Sequence, residues 1–179
     1  MKSDREAAEA IYGAVAVPAL SAPVEGAIAD LELALLAGKI VAYAQGFSVM
    51  AAASAEFSWS LPLATVARIW RAGCIIRSQF LGEIAAAFEA STDTTNLLMT
   101  RAFQHTMAEA HPSLRRIVAL SAEAALPAPA LGAALGHFDG FRRARGTADL
   151  IQAQRDYFGA HGFERVDRKG AFHGPWKRQ

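Results

Sequence analysis

The sequence predicts an all-α fold, a bundle of several helices followed by an extended tail. Two observations support this class. The alternation of apolar and polar residues typical of half-buried strands is absent, and most segments are rich in alanine and leucine, which are strong helix formers. The length of 179 residues, with 53% hydrophobic and 20% charged residues, is typical of one globular domain with its own core. We therefore predict a single helical domain over residues 1–179.

Residues 1–57 contain two predicted helices. Ser3 and Glu6 have the spacing of a capping box, in which both side chains satisfy free amides of a first turn. We expect that helix to end near Pro18, because proline removes an amide donor and clashes with the preceding turn. A long helix is predicted over residues 27–57. Its middle is apolar on almost every side, which indicates a central position in a bundle.

Proline, glycine and turn residues define the remaining elements. Pro62 suits the first turn of a helix, and Gly73 interrupts the run that follows. We expect His111-Pro112 to end another helix, and Gly146-Thr147 to separate the last two. The predicted helices are 63–71, 74–90, 97–110, 113–124, 131–145 and 148–158, and the basic, aromatic residues 163–179 form the tail.

Composition excludes several classes of partner. A formal net charge of +1 provides no field suited to nucleic acid or to an anionic membrane surface, so we expect neither partner. The longest stretch without acidic or basic residues, 40–55, is shorter than the roughly 20 apolar residues of a membrane-spanning helix. The single cysteine, Cys74, excludes an internal disulfide framework and favours a cytoplasmic protein.

Local motifs predict no catalytic, cofactor or metal site. The sequence has no glycine-rich phosphate loop, no nucleophile elbow, and no histidine pair at zinc-ligand spacing. Residues 69–81, IWRAGCIIRSQFL, place Arg71 and Arg77 within an apolar run. These arginines either cap and bridge neighbouring helices or contact a ligand directly, and the residues alone favour the structural role.

The segment 150–161, LIQAQRDYFGAH, offers a candidate anion site. Arg155 and His161 would lie about 240° apart around a continuous helix and would not share a face. Gly159 can adopt the left-handed conformation that ends a helix, so the chain can turn there and bring both side chains to one ligand. A forked guanidinium beside an imidazole donor suits a sugar phosphate. An ordinary helix end with surface residues is the alternative interpretation.

Four segments in order resemble 6-phosphogluconate dehydrogenase: YAQGF at 43–47, WRAGCIIRSQFL at 70–81, LIQAQRDYFGAH at 150–161 and KGAFHGPW at 169–176. The resemblance runs from about residue 31 to the end, and residues 1–30 match poorly. It implies a helical core over 31–162 with a tail over 163–179. It also implies a family of homodimers in which the tail of one subunit reaches the active site of the other. That family oxidises and decarboxylates 6-phosphogluconate to ribulose 5-phosphate with NADP and without a metal.

The resemblance assigns Arg155 and His161 to the substrate site, with Arg155 on the phosphate. The expected ligand there is 6-phosphogluconate, or a phosphate or sulfate anion. We find no counterpart of the family's coenzyme domain or catalytic lysine, so we expect no catalytic residue, no NADP binding and no turnover by this chain alone. Lys39 is interpreted as structural or surface-reaching, because Tyr43 stands where the family's catalytic helix carries asparagine. Ala14 aligns with a second phosphate-binding arginine.

The preferred interpretation is a C-terminal part of this dehydrogenase that contributes dimerisation and part of the substrate site. Two alternatives stay open. One is a non-catalytic helical homodimer that has kept the family's interface, and the other is a sugar-phosphate-binding protein derived from the family.

Overall fold

The computed structural model describes residues 1–16, 23–73, 78, 80–91 and 93–176, and these residues are mostly helical. The helices are α1 Lys2–Tyr12, α2 Val24–Glu56, α3 Leu63–Gly73, α4 Phe80–Ala90, α5 Arg101–Glu123, α6 Pro129–Phe141 and α7 Ala148–Gly159, with a short 3₁₀ helix, Leu97–Met99, before α5. Two antiparallel two-residue strands, β1 Phe163–Glu164 and β2 Ala171–Phe172, follow α7. The all-α prediction is confirmed. The chain divides into two compact units, Met1–Phe138 and Asp139–Gln179.

The core of the first unit is built around α2. One side of this helix is buried, including Ile40, Val41 and Phe47, and packs along α5. The Phe47 ring also lies 5.6 Å from that of Trp70 on α3 and 5.2 Å from that of Phe88 on α4, measured between centroids. The predicted central position of this helix is therefore correct for one face only, because its opposite face remains exposed along much of its length.

The helix α1 begins and ends at different residues from those predicted. Its N-cap is Met1, without a side-chain hydrogen bond, and Ser3 lies inside the first turn, so the predicted capping box does not form. The helix ends at Tyr12 because Gly13 adopts φ of +86°, a conformation that glycine reaches without steric cost. Pro18, the predicted end, lies outside the described residues.

The prediction that His111-Pro112 ends a helix is wrong. The helix α5 continues through Pro112 to Glu123. An interior proline costs about 3 kcal/mol because it removes one backbone hydrogen bond and crowds the preceding turn. Burial of Ala110, Ser113 and Leu114 on both sides of the proline keeps the helix continuous, since these residues lie in the packed core.

Other boundaries differ by a few residues. The helix α4 begins at Phe80 rather than at 74, and residues 74–77 and 79, which include Cys74 and Arg77, lie outside the described residues. The helix α6 covers Pro129–Phe141 rather than 131–145. A search of the described residues for a helix long and apolar enough to cross a membrane finds none.

Candidate functional site

The predicted turn after α7 is present, but a different residue makes it. The left-handed residue is Ala160, with φ of +51° and ψ of +40°, and Gly159 is the last residue of the helix. Gly159 matters for another reason. A Cβ at this position would lie 2.8 Å from Nε2 and 2.9 Å from Cδ2 of His161. The imidazole therefore rests directly on the glycine backbone, and a side chain at this position would displace it.

Arg155 precedes Gly159 by four residues, and residues four apart share one side of a helix. Since the His161 ring rests on Gly159, the turn brings the imidazole to the side of α7 that carries Arg155. The Arg155 side chain is exposed, and no carboxylate among the described residues pairs with it. Its guanidinium is thus available to a ligand. That both side chains bind one ligand stays a prediction.

A buried carboxylate holds the residues around His161. Asp156 is only 3% exposed and accepts four hydrogen bonds, two on each oxygen. Its Oδ1 accepts from the Gly162 amide at 2.9 Å and from His173 Nδ1 at 2.6 Å. Its Oδ2 accepts from the Gly174 amide at 2.8 Å and from Trp176 Nε1 at 2.6 Å. These bonds, that from the Gly174 amide first, hold the pKa of the Asp156 carboxyl well below its usual range.

Sequence reasoning missed Asp156. Its four donors come from residues six to twenty positions later in the chain, so no local pattern marks it. The available signal was indirect. The tail carries a histidine and a tryptophan, whose ring N–H groups usually find a hydrogen-bond partner when partly buried.

The tail forms a hairpin beside this cluster. Phe163 pairs with Phe172 across the two strands. In the connecting loop the Arg165 guanidinium donates two hydrogen bonds to Asp167, at 2.7 and 2.8 Å. A cavity of about 760 Å³ lies between α7 and the tail, with His161 on its wall and Arg155 outside its lining. This cavity therefore includes only one of the two predicted site residues.

The remaining candidate residues lie in the first unit. Lys39 is exposed, with its ammonium 4.4 Å from the centre of the Phe80 ring, which is the surface-reaching position predicted for it. Ala14 is exposed in the segment without regular secondary structure that follows α1. The Arg71 guanidinium lies along α4, where a Cβ added at Gly82 would be 3.4 Å from Arg71 Nη1. This contact favours the structural role of Arg71.

Neither a metal nor a dinucleotide fits the described residues. They contain no group of three or more histidine, cysteine, aspartate or glutamate side chains placed to hold a metal ion. Their only sheet is the two-stranded hairpin of the tail, and within them no glycine-rich turn joins a strand to a helix N-terminus, the arrangement that binds a pyrophosphate.

The family model for the C-terminal domain of 6-phosphogluconate dehydrogenase matches residues 1–176. The chain belongs to this family. The match includes the first thirty residues, which the sequence segments alone did not connect to the family. The resemblance predicted from residues 31 onwards is thereby confirmed and extended to the N-terminal helix of this C-terminal domain.

Similar proteins agree with this assignment. The decarboxylating 6-phosphogluconate dehydrogenase of Synechococcus elongatus is 42% identical over 176 residues, which are 98% of this chain and 37% of that protein. That of Escherichia coli is 45% identical over 149 residues, 83% of this chain and 32% of that protein. The chain thus spans about a third of the length of the curated relatives it matches.

A solved structure has the same fold. Plasmodium falciparum 6-phosphogluconate dehydrogenase, studied in its apo form and in complexes with its cofactor NADP+ and its substrate 6-phosphogluconate, superposes with a TM-score of 0.92 at 36% identity. The superposition covers 98% of this chain and 38% of that protein. It supports the all-α assignment of this C-terminal domain over nearly its whole length.

Proposed function

We propose that this C-terminal domain contributes part of the substrate site of an enzyme that oxidises and decarboxylates 6-phosphogluconate to ribulose 5-phosphate with NADP in the cytoplasm. Arg155 and His161 are its substrate-binding residues. The observation that carries the proposal is the end of α7, where the His161 ring rests on Gly159, one helical turn beyond an arginine that has no carboxylate partner among the described residues.

The chemistry of the ligand fits this pair of side chains. A phosphate monoester presents several oxygens to one guanidinium, and the planar fork of Arg155 can donate to two of them at once. His161 supplies a further N–H donor to a phosphate or hydroxyl oxygen. Both side chains are exposed, so this surface covers one side of a ligand only. The reacting carbons and the nicotinamide would be held by other groups, and we derive no hydride-transfer step from the described residues.

Calorimetric titration of the purified 179-residue chain with 6-phosphogluconate tests the assignment. We expect Arg155→Ala to weaken binding by about tenfold to a hundredfold, because hydrogen bonds to charged groups contribute about 1.5–3 kcal/mol each. Arg155→Lys keeps the charge without the fork and should have an intermediate effect. Arg145→Ala, at an exposed arginine before α7, is the control. Unchanged affinity in Arg155→Ala would contradict the assignment.

A second experiment tests the division of labour. With NADP and 6-phosphogluconate supplied, we expect no NADP reduction by the purified chain, because the described residues do not fit a dinucleotide. Turnover that rises in proportion to the concentration of this chain would show that the chain binds the cofactor after all.

A helical homodimer is part of the proposal, and an exposed apolar stripe supports it. On the first half of α2, Val24, Ile28, Leu31 and Leu35 are each between 43% and 61% exposed. Their spacing places all four on one side of the helix, which is the pattern of a face that packs against another helix. Two copies could cover this stripe symmetrically.

Sedimentation at micromolar concentration tests the dimer. Ile28→Glu combined with Leu35→Glu should convert a dimer to a monomer, because burial of two carboxylates in an apolar interface is costly. Ile69→Glu is the control, since Ile69 is also exposed but lies on α3. A monomeric wild-type chain would count against the homodimer and leave the ligand assignment intact. If the wild-type chain and Ile69→Glu are both dimers and the wild type binds no 6-phosphogluconate, the non-catalytic homodimer is favoured.

A further inference from the structure

Asp156 contacts the chain on both sides of His161. Its main-chain carbonyl accepts a hydrogen bond from the Ala160 amide at 2.8 Å, and its carboxylate Oδ1 accepts one from the Gly162 amide at 2.9 Å. These two amides flank His161 in sequence. One residue of α7 therefore holds the amides of the residue before and the residue after His161.

The backbone at this turn is unusual enough to need such support. Ala160 has φ of +51°, a left-handed conformation that residues with a Cβ adopt at a cost of about 1 kcal/mol or more. Gly162 has φ of +74°, where glycine is favoured. The two hydrogen bonds that Asp156 accepts offset the cost of this path of the chain.

We propose that Asp156 is the positioning residue for His161, holding the imidazole on the Gly159 backbone and on the Arg155 side of α7 before any ligand arrives. This inference rests on the proposed function in so far as it concerns ligand binding. Its structural part, the control of the position of His161 by the carboxylate, stands on the contacts of the described residues alone.

Only a carboxylate satisfies this arrangement. Each carboxylate oxygen of Asp156 accepts two hydrogen bonds, and all four partners are N–H donors. An asparagine offers one acceptor oxygen, and its NH₂ group would face two donors. Asp156→Asn preserves the shape of the side chain, and His173 can change tautomer so that its Nδ1 accepts from the NH₂ group. In that arrangement the amide oxygen keeps the Gly174 and Trp176 bonds, and the Gly162 amide is left without an acceptor. Because an ionised carboxylate accepts only, His173 must also carry its hydrogen on Nδ1 in the wild-type protein.

The decisive measurement is nuclear magnetic resonance of the full chain without ligand. We expect Asp156→Asn to move the His161 ring signals and the Gly162 amide signal toward the positions of solvated residues. Asp93→Asn, the same substitution at an exposed turn of the first unit, should leave both unchanged. Trp176→Phe removes one donor from Oδ2 only, so it should leave the His161 signals in place.

Ligand affinity then separates this inference from the proposed function. We expect Asp156→Asn to weaken 6-phosphogluconate binding about tenfold or more, because a displacement of about 1 Å in a positioned group can cost up to a hundredfold. Asp93→Asn should bind like the wild type. If the wild-type chain binds no 6-phosphogluconate, the proposed function fails while the ligand-free signals still decide the role of Asp156.

Three results would overturn the inference. The first is that His161 and Gly162 signals are the same in Asp156→Asn and wild type. The second is that Trp176→Phe moves them as far as Asp156→Asn does, since the tail as a whole would then hold the turn. The third is that the Gly162 amide of the wild type exchanges with solvent at the rate of an unprotected peptide. This measurement needs no variant, so it applies even if Asp156→Asn fails to fold.

Discussion

Gly159→Ala should separate stability from ligand binding, because the substitution acts on them in opposite directions. The added Cβ would lie 2.8 Å from His161 Nε2, whereas ordinary contacts of this kind are 3.4–4 Å long. The imidazole must therefore retreat by about 0.6–1.2 Å. A misplacement of about 1 Å can reduce the effectiveness of a positioned group by up to a hundredfold. We expect 6-phosphogluconate binding to weaken by about tenfold or more.

The stability of the same variant should not fall. Gly159 is the last residue of α7 and lacks a positive φ, and alanine is favoured over glycine in a helix by up to about 1 kcal/mol. The histidine ring is the movable end of an exposed side chain, so it can swing away at little cost to folding. The free energy of unfolding should therefore stay constant or rise by a few tenths of a kcal/mol.

Urea denaturation followed by circular dichroism, together with calorimetry, measures the two quantities on one sample. Gly140→Ala is the matched control, since Gly140 is helical and a Cβ there would meet open space. It should gain similar stability and bind 6-phosphogluconate like the wild type. Equal affinity in Gly159→Ala and Gly140→Ala would refute the reasoning, because it would mean that the His161 position on Gly159 does not matter for the ligand.

Three further predictions concern the first unit. Hydrogen bonds from Arg116 are the main reason that the pKa of Asp30 is lowered from 3.8 to about 2, so the stability that this carboxylate contributes is present above pH 4 and is lost as the pH falls toward 2. In acid titration, Asp30→Asn should therefore lose less stability than the wild type between pH 4 and pH 2. Phe47→Ala should lower the free energy of unfolding by about 3–5 kcal/mol, because Phe47 is fully buried. Val49→Ala, on the exposed side of the same helix, should change it by about 0.5 kcal/mol or less, and comparable losses for the two variants in urea denaturation would contradict the assigned core. Pro112→Ala should raise the thermal midpoint, because it restores an amide donor inside α5 and removes a steric clash, and a lower midpoint would show that the surrounding core is adapted to the proline.

Elements with strong local signals were predicted well. The apolar run of residues 27–57 corresponds to α2, Val24–Glu56, and the stop at Gly146-Thr147 corresponds to the start of α7 at Ala148. Predictions failed where packing opposed a local preference. Pro112 is a local signal for a helix end, and burial of its neighbours outweighs it. The Ser3 prediction failed for another reason, because α1 has no buried residue and still begins two residues earlier than the capping box would place it, with Met1 as its N-cap.

The candidate site shows the same division. The spacing of Arg155, Gly159 and His161 predicted a turn, and the resemblance to the dehydrogenase family gave two of these residues a role. The residue in the left-handed conformation is Ala160 rather than Gly159. Glycine at position 159 leaves room for the His161 ring instead, and the local sequence does not show this contact. The hairpin of the tail was not predicted, because strands of two residues are too short to show an alternating pattern.

The fold class, the family and the approximate helices could be predicted from the sequence, because helix propensity, apolar periodicity and distinctive short motifs are all local properties of the chain. Tertiary structure alone decided that the Asp156 carboxylate holds both the His161 turn and the end of the tail. Its donors are separated from it by up to twenty residues, and a buried carboxylate is stable only when folding brings such donors to it. The acceptor is therefore within residues 150–161, whereas three of its four donors come from the tail and the fourth from the turn before it, and only folding brings them together.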